Sequence, residues 1–285
     1  MEEKVLVITP LNDYTDDCIR YACEVAMVLK RSVLVLFVDE RAVIPQDYTS
    51  AYVFGVTPDR SLLEEQNKQL MLELEERVIK VSKSLHESPQ IDYDIATRFE
   101  MALIYKLLEQ QTITTIFISS LTEKELISYD LFMNELIGET GIPVWIIPHG
   151  FRYHTIGRII YTTDFNMEDI PTLTRLTGIA RLFDSHITAL HFTTSRSFDE
   201  RVRQRGFQKI IQDRVKYDKI DLVVINSYDR IKDIINNYAS EMKADLVVML
   251  KKNRNFLKKI FNEDKTRKMA FESEFPLLIF HYHSG

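Results

Sequence analysis

The sequence predicts an α/β protein built from two tandem Rossmann-like modules, each a five-stranded parallel sheet with flanking helices, packed as a pseudo-dimer. Three observations carry this prediction. First, the chain repeats: Lys4 to Val38 aligns with Arg158 to Phe192 without a gap at a constant offset of 154, which places "VLVITPLN" on "IIYTTDFN". Thr9 then meets Thr163, Asn12 meets Asn166, Ala26 meets Ala180 and Leu36 meets Leu190. Second, the copies end alike, "GIPVWIIP" at 141–148 matching "EFPLLIFH" at 274–281 with Pro143 on Pro276. Third, short β-rich runs alternate with helical patterns in each copy, the order that produces a parallel sheet with crossover helices. A duplication of this kind fixes the architecture before any single element is assigned.

Taken in order, the first copy reads as strands near 4–9, 32–38, 91–96, 114–119 and 143–147, with helices near 13–30, 58–86, 99–110 and 123–140. Thr57-Pro58 supplies an N-cap and first-turn pair for the long helix, and Thr122-Glu123-Lys124-Glu125 fits a capping box. The second copy reads as strands near 158–163, 186–192, 220–226, 245–250 and 276–281, with helices near 167–184, 197–216, 229–242 and 254–273. The modules are expected at 1–149 and 157–285, joined by a linker at 150–156 too short to let them separate far. Residues 38–60 form an insertion in the first copy with Tyr48, Tyr52 and Phe54, readable as a lid, a partner contact or a satellite aromatic cluster.

Composition excludes several function classes. A net charge of −6 lacks the basic field that general nucleic-acid binding requires. No apolar run is long enough for a membrane span, and the acidic start runs directly into a strand, so the protein is expected in the cytoplasm. Cys18 and Cys23 stand five apart on a helix and point in different directions, which forbids a disulfide between them. The chain has eight glycines, with none between Gly206 and Gly285, so the second copy has no glycine-rich phosphate loop.

The duplication, the first strand ending in "YTTDF", and "ADLVVM" followed by "PLLIF" together resemble the universal stress protein family, in its tandem form. The resemblance implies an ATP site in which the fourth strand ends in a Gly-x2-Gly-x9-Gly-Ser/Thr loop, and an aspartate after the first strand sits near the nucleoside. Asp164, preceded by Thr163, matches that aspartate. Leu250, Asn253 and Glu263 stand where the glycines would be, and Asp264 stands in place of the hydroxyl residue. In the first copy Ser119 and Thr122 replace the first two glycines, and Pro10 replaces the aspartate.

The expectation is a stress-response protein that acts by binding or regulation through a protein partner that the sequence does not identify, with a degenerate ATP site in both modules and no cofactor. It also allows a homo-oligomer. One alternative is an ATP-binding, slowly hydrolysing protein whose second module holds the nucleotide with Thr163, Asp164, Lys251, Lys252 and Arg254. A carrier of a small apolar or anionic ligand is another. Lys251, Lys252, Arg254, Lys258 and Lys259 read either as an anion site at a helix start or as a solvated basic face. Asp164 reads either as a ligand contact or as a cap for the helix that follows. His281 and His283 alternate on a strand with no third or fourth metal ligand nearby in sequence. No Walker loop, Gly-x-Ser-x-Gly elbow or His-Glu-x-x-His pattern is present, which lowers the expectation of an enzyme.

Overall fold

The computed structural model describes residues 2–39, 60–96, 98–119, 126–194, 197–251 and 274–281. The 40–59 part of the insertion, both capping motifs of the first copy, the expected final helix at 254–273 and His283 lie outside the described residues. The chain forms two compact units, 1–119 and 120–285.

The first unit contains β1 (Glu3–Pro10), α1 (Thr15–Leu29), β2 (Ser32–Val38), α2 (Arg60–Ser84), β3 (Ile91–Ala96), α3 (Met101–Gln110) and β4 (Thr112–Ser119). Its strands lie in the order β3-β2-β1-β4, with β1 parallel to both β2 and β4 and β2 parallel to β3. β2 is buried along its whole length, as a central strand covered on both faces must be. α1 covers the sheet with Cys18, Ile19, Ala22, Cys23 and Ala26, all at 0–1% exposure, the small side chains allowing close approach. α2 packs on α1 through the helically spaced Leu70, Leu74, Val78 and Val81. Polar bonds fix their register: Arg77 donates to Asn12 O at 3.2 Å and to Asp16 at 3.1 Å, and Lys80 reaches Asp16 at 2.6 Å.

The second unit contains α4 (Leu126–Glu139), β5 (Val144–Ile147), β6 (Arg158–Thr162), α5 (Asp169–Phe183), β7 (His186–Thr193), α6 (Phe198–Arg214), β8 (Ile220–Asn226), α7 (Ile231–Met242), β9 (Leu246–Lys251) and β10 (Leu277–His281). The five strands of the second copy run β10-β9-β6-β7-β8, all parallel, and four of them, β9-β6-β7-β8, repeat the order β4-β1-β2-β3 of the first unit. β5, the last strand of the first copy, joins them antiparallel on β10, with Trp145 opposite Leu278 and Val144 opposite Ile279. That pairing covers the edge β10 would otherwise expose, and it explains why compactness groups β5 with the second copy.

The repeat extends to backbone detail. α1 ends on Lys30 at φ 56° and α5 ends on Asp184 at φ 56°, residues related by the offset of 154. Behind them Arg31 N donates to Ala26 O and Ser185 N to Ala180 O, both at 2.9 Å. Left-handed C-caps usually take glycine. Here side-chain-bearing residues accept a strain on the order of 1 kcal/mol, in keeping with the glycine-poor sequence.

Candidate functional site

In an open α/β sheet the ligand crevice lies beyond the carboxyl ends of the strands, where successive connections leave in opposite directions. In the second unit that point is β6, with β9 on one side and β7 on the other. The turn after β6 is "TDFN", residues 163–166.

A buried carboxylate organises this turn. Asp169, at the start of α5 and 0% exposed, accepts the Tyr161 hydroxyl at 2.9 Å on Oδ1. Its Oδ2 accepts the Thr163 hydroxyl at 2.7 Å and the Asn166 N–H at 3.1 Å. Three donors converging on a carboxylate satisfy a charge that would otherwise be costly to bury. Burial, and then the Asp169 carboxylate beside it, push the Tyr161 phenol well above its ordinary range, so it remains a donor. Thr163 Oγ1 in turn accepts Phe165 N–H at 3.0 Å and thereby holds Phe165 at φ 58°.

Phe165 stacks on His191 of β7 with ring centres 4.0 Å apart, and Phe207 of α6 lies 5.2 Å beyond it. His191 Nδ1 is 2.7 Å from Thr163 O, and Nε2 is 2.8 Å from Glu200 Oε1 on α6. A backbone carbonyl only accepts, so the network assigns a proton to Nδ1. Glu200 is placed by the first turn of α6, where Ser197 accepts its N–H at 3.2 Å. Arg203, one turn further on, donates to Asp164 O at 3.1 Å.

The residues expected from sequence are placed as follows. Thr163 is buried and hydrogen-bonded both as donor and as acceptor within the turn. Asp164 is exposed at the mouth of the crevice. Within the turn Asp169 binds the Asn166 N–H, and Glu168 at the N-cap makes no side-chain capping bond. Lys251 is the last residue of β9. It is 4% exposed, and a Cβ added at Gly138 of α4 would lie 2.8 Å from its ammonium nitrogen. Lys252 and Arg254 lie outside the described residues.

Sequence reading missed Tyr161, Asp169, His191, Glu200 and Arg203. One signal was available in the repeat: Asp169 falls on Thr15 at the offset of 154. Thr15 is also fully buried, accepts Asn12 N–H at 2.8 Å and donates to Pro10 O at 2.6 Å. A buried polar side chain thus closes the same turn in both copies, a carboxylate in one and a hydroxyl in the other. Beside it in the first unit Thr9 and Ser119 bring their hydroxyl oxygens to 3.4 Å, so the position expected to replace the first glycine meets the end of β1.

Among the described residues no group of three or more His, Cys, Asp or Glu side chains is placed to hold a metal ion. No helix among them is long and apolar enough to cross a membrane.

No family model matches the chain, and no curated protein matches its sequence. Solved structures share its fold along its whole length. A universal stress protein from Archaeoglobus fulgidus DSM 4304 is 12% identical, with a TM-score of 0.60 covering 98% of this chain and 97% of that one. A putative universal stress protein from Pseudomonas aeruginosa UCBPP-PA14 is 14% identical, with a TM-score of 0.55 over 99% and 93%. A protein of unknown function from Pseudomonas aeruginosa PAO1 is 15% identical, with a TM-score of 0.54 over 99% and 92%. The chain therefore has the fold of universal stress proteins of its own length, which agrees with the fold expected from the duplication.

Proposed function

We propose that this chain is a tandem universal-stress-type protein of the cytoplasm, with modules at 1–149 and 157–285, that acts by binding or regulation and not by catalysis. In this reading its nucleotide sites are degenerate in both modules. One observation carries the reading: the polar groups at the carboxyl end of β6 are engaged with one another. Thr163, Tyr161 and Asn166 converge on Asp169, and the aromatic rings of Phe165 and His191 stack on each other. A nucleotide seated there would have to break bonds already made in a buried setting, each costing on the order of 1–3 kcal/mol.

The reading is tested by thermal-shift titration with millimolar Mg-ATP. A ligand at 100 times its Kd stabilises a fold by about 2.7 kcal/mol. The expected shift is negligible. A rise of several degrees that Asp164→Ala abolishes would overturn the reading in favour of nucleotide binding by the second module, an alternative favoured by one observation, the exposure of Asp164 with Arg203 bonded to its carbonyl.

A further inference from the structure

Two helices, one in each unit, turn outward faces on which apolar side chains alternate with charges of opposite sign. α2 buries Leu74 and Val81, and the opposite side exposes Leu72 (52%), Glu75, Glu76 and Ile79 (42%) at the spacing i, i+3, i+4, i+7. α6 buries Phe207 and Ile211, and its opposite side exposes Phe198 (72%), Arg201, Val202 (51%), Arg205 and Lys209. At 100° per residue each set falls within a wedge of about 100°. At the same 100° per residue Lys68 and Lys83 fall within the α2 wedge, one turn beyond Leu72 and Ile79, with Glu65 a further turn out, and Asp213 borders the α6 wedge, so the acidic charge of the α2 face is concentrated at its centre, Glu75 and Glu76. Among the described residues none of Glu75, Glu76, Arg201, Arg205 and Lys209 forms an ion pair, although neighbouring charges such as Glu73 and Arg203 do.

We propose that the protein self-associates by docking the α2 face of one copy on the α6 face of another. The occupant is a second copy because the chain carries both halves of the complement with closely similar spacing. The partner is therefore always present at the same concentration as the site. Exposed single apolar residues are ordinary on protein surfaces. Two on each helix, bracketed by charges of opposite sign, form a small apolar centre with a rim that selects the partner and the register. Because the two faces differ, the contact is heterologous, and it closes into a dimer only if both pairs of faces meet at once. This inference is independent of the nucleotide reading.

Sedimentation velocity across micromolar to submillimolar protein provides the test. At low ionic strength the average mass should rise with concentration, and molar salt should reverse the rise by screening. The variant R201E/R205E should weaken association roughly tenfold or more, as should E75R/E76R, and an equimolar mixture of the two should restore it, since each then presents the charge the other lacks. Ile79→Gln and Val202→Gln, which alter no charge, should also weaken it. All these positions are exposed, so melting temperatures should stay close to that of the parent and certify folding. A wild-type protein that remains monomeric throughout overturns the proposal. So does association that ignores the charge reversals, or a mixture of reversed variants that fails to associate.

Discussion

Asp169 accepts the Thr163 hydroxyl at 2.7 Å inside the turn that leads from β6 into α5. The same carboxylate holds Tyr161 and Asn166. The turn after β6 is thus built around a buried carboxylate whose polar neighbours are engaged with it.

Replacing Asp169 tests that role. Asp169→Ala leaves the Tyr161 and Thr163 hydroxyls and the Asn166 N–H without their acceptor, and should lower stability by about 3 kcal/mol or more in urea denaturation. Thr15→Ala, at the matching position of the first copy, removes one hydroxyl acceptor and should cost about 1–2 kcal/mol. Equal and small losses at both sites would show that the carboxylate does not organise the turn.

The fate of Lys251 separates a structural amine from a ligand-binding one. Its stem is buried at the end of β9 and its amine lies beside Gly138. Lys251→Met should lower the melting temperature by an amount equivalent to about 1–3 kcal/mol, with no change in the response to inorganic phosphate. A phosphate-induced shift in the parent that disappears in the variant would assign Lys251 to an anion site.

Much of the fold was legible in the sequence because duplication shows itself residue by residue. Thr9 on Thr163 and Pro143 on Pro276 identify the repeat and the succession of strands and helices without any tertiary information, whereas the order of the strands in the sheet and the pairing of β5 with β10 come from the structure. The candidate site was less legible. Asp164 resembles a family motif and drew attention to itself, whereas Asp169 matches Thr15, a residue of different chemistry, and its role depends on Tyr161 and Thr163 folding back onto the first turn of α5. His191 and Glu200 lie on β7 and α6, and only the packing of the helix on the sheet brings them together. The burial of Lys251 was not legible because a basic run in sequence gives no sign of which member the end of β9 buries.

The two cysteines should be chemically inert in the native state. Burial pushes the Cys23 thiol up to about 12, with Glu24 adding to the effect, and burial raises Cys18 further still, helped by Cys23 and Asp17. The thiolate is the reactive species. Labelling with a thiol reagent at neutral pH should therefore follow the unfolding rate and become complete only in denaturant. Rapid stoichiometric labelling of the folded protein would contradict this account of α1.

Acid should remove a small stabilising contribution from the start of β1. The hydrogen bond from Lys4 at 2.7 Å is the main cause that holds the Asp92 carboxyl below its ordinary range. A depressed folded-state value stabilises the protein above the unfolded value, about pH 4 for aspartate, and the contribution is lost as pH falls through the folded value. The Asp92 side chain is 41% exposed, so solvent screening limits the contribution to less than about 1 kcal/mol. Lys4→Met should flatten this part of the acid limb of the stability profile and leave neutral-pH stability within about 1 kcal/mol of the parent. An unchanged acid limb would rule out the pair as its source.

The central proposal, that the polar groups at the carboxyl end of β6 engage one another and hold no nucleotide, is tested most directly by native mass spectrometry of the intact protein, both freshly purified and after incubation with millimolar Mg-ATP. The account predicts the bare polypeptide mass, with no nucleotide adduct beyond that on a non-binding control protein. A stoichiometric adenine-nucleotide adduct on the freshly purified chain, lost on Asp164→Ala, would contradict it.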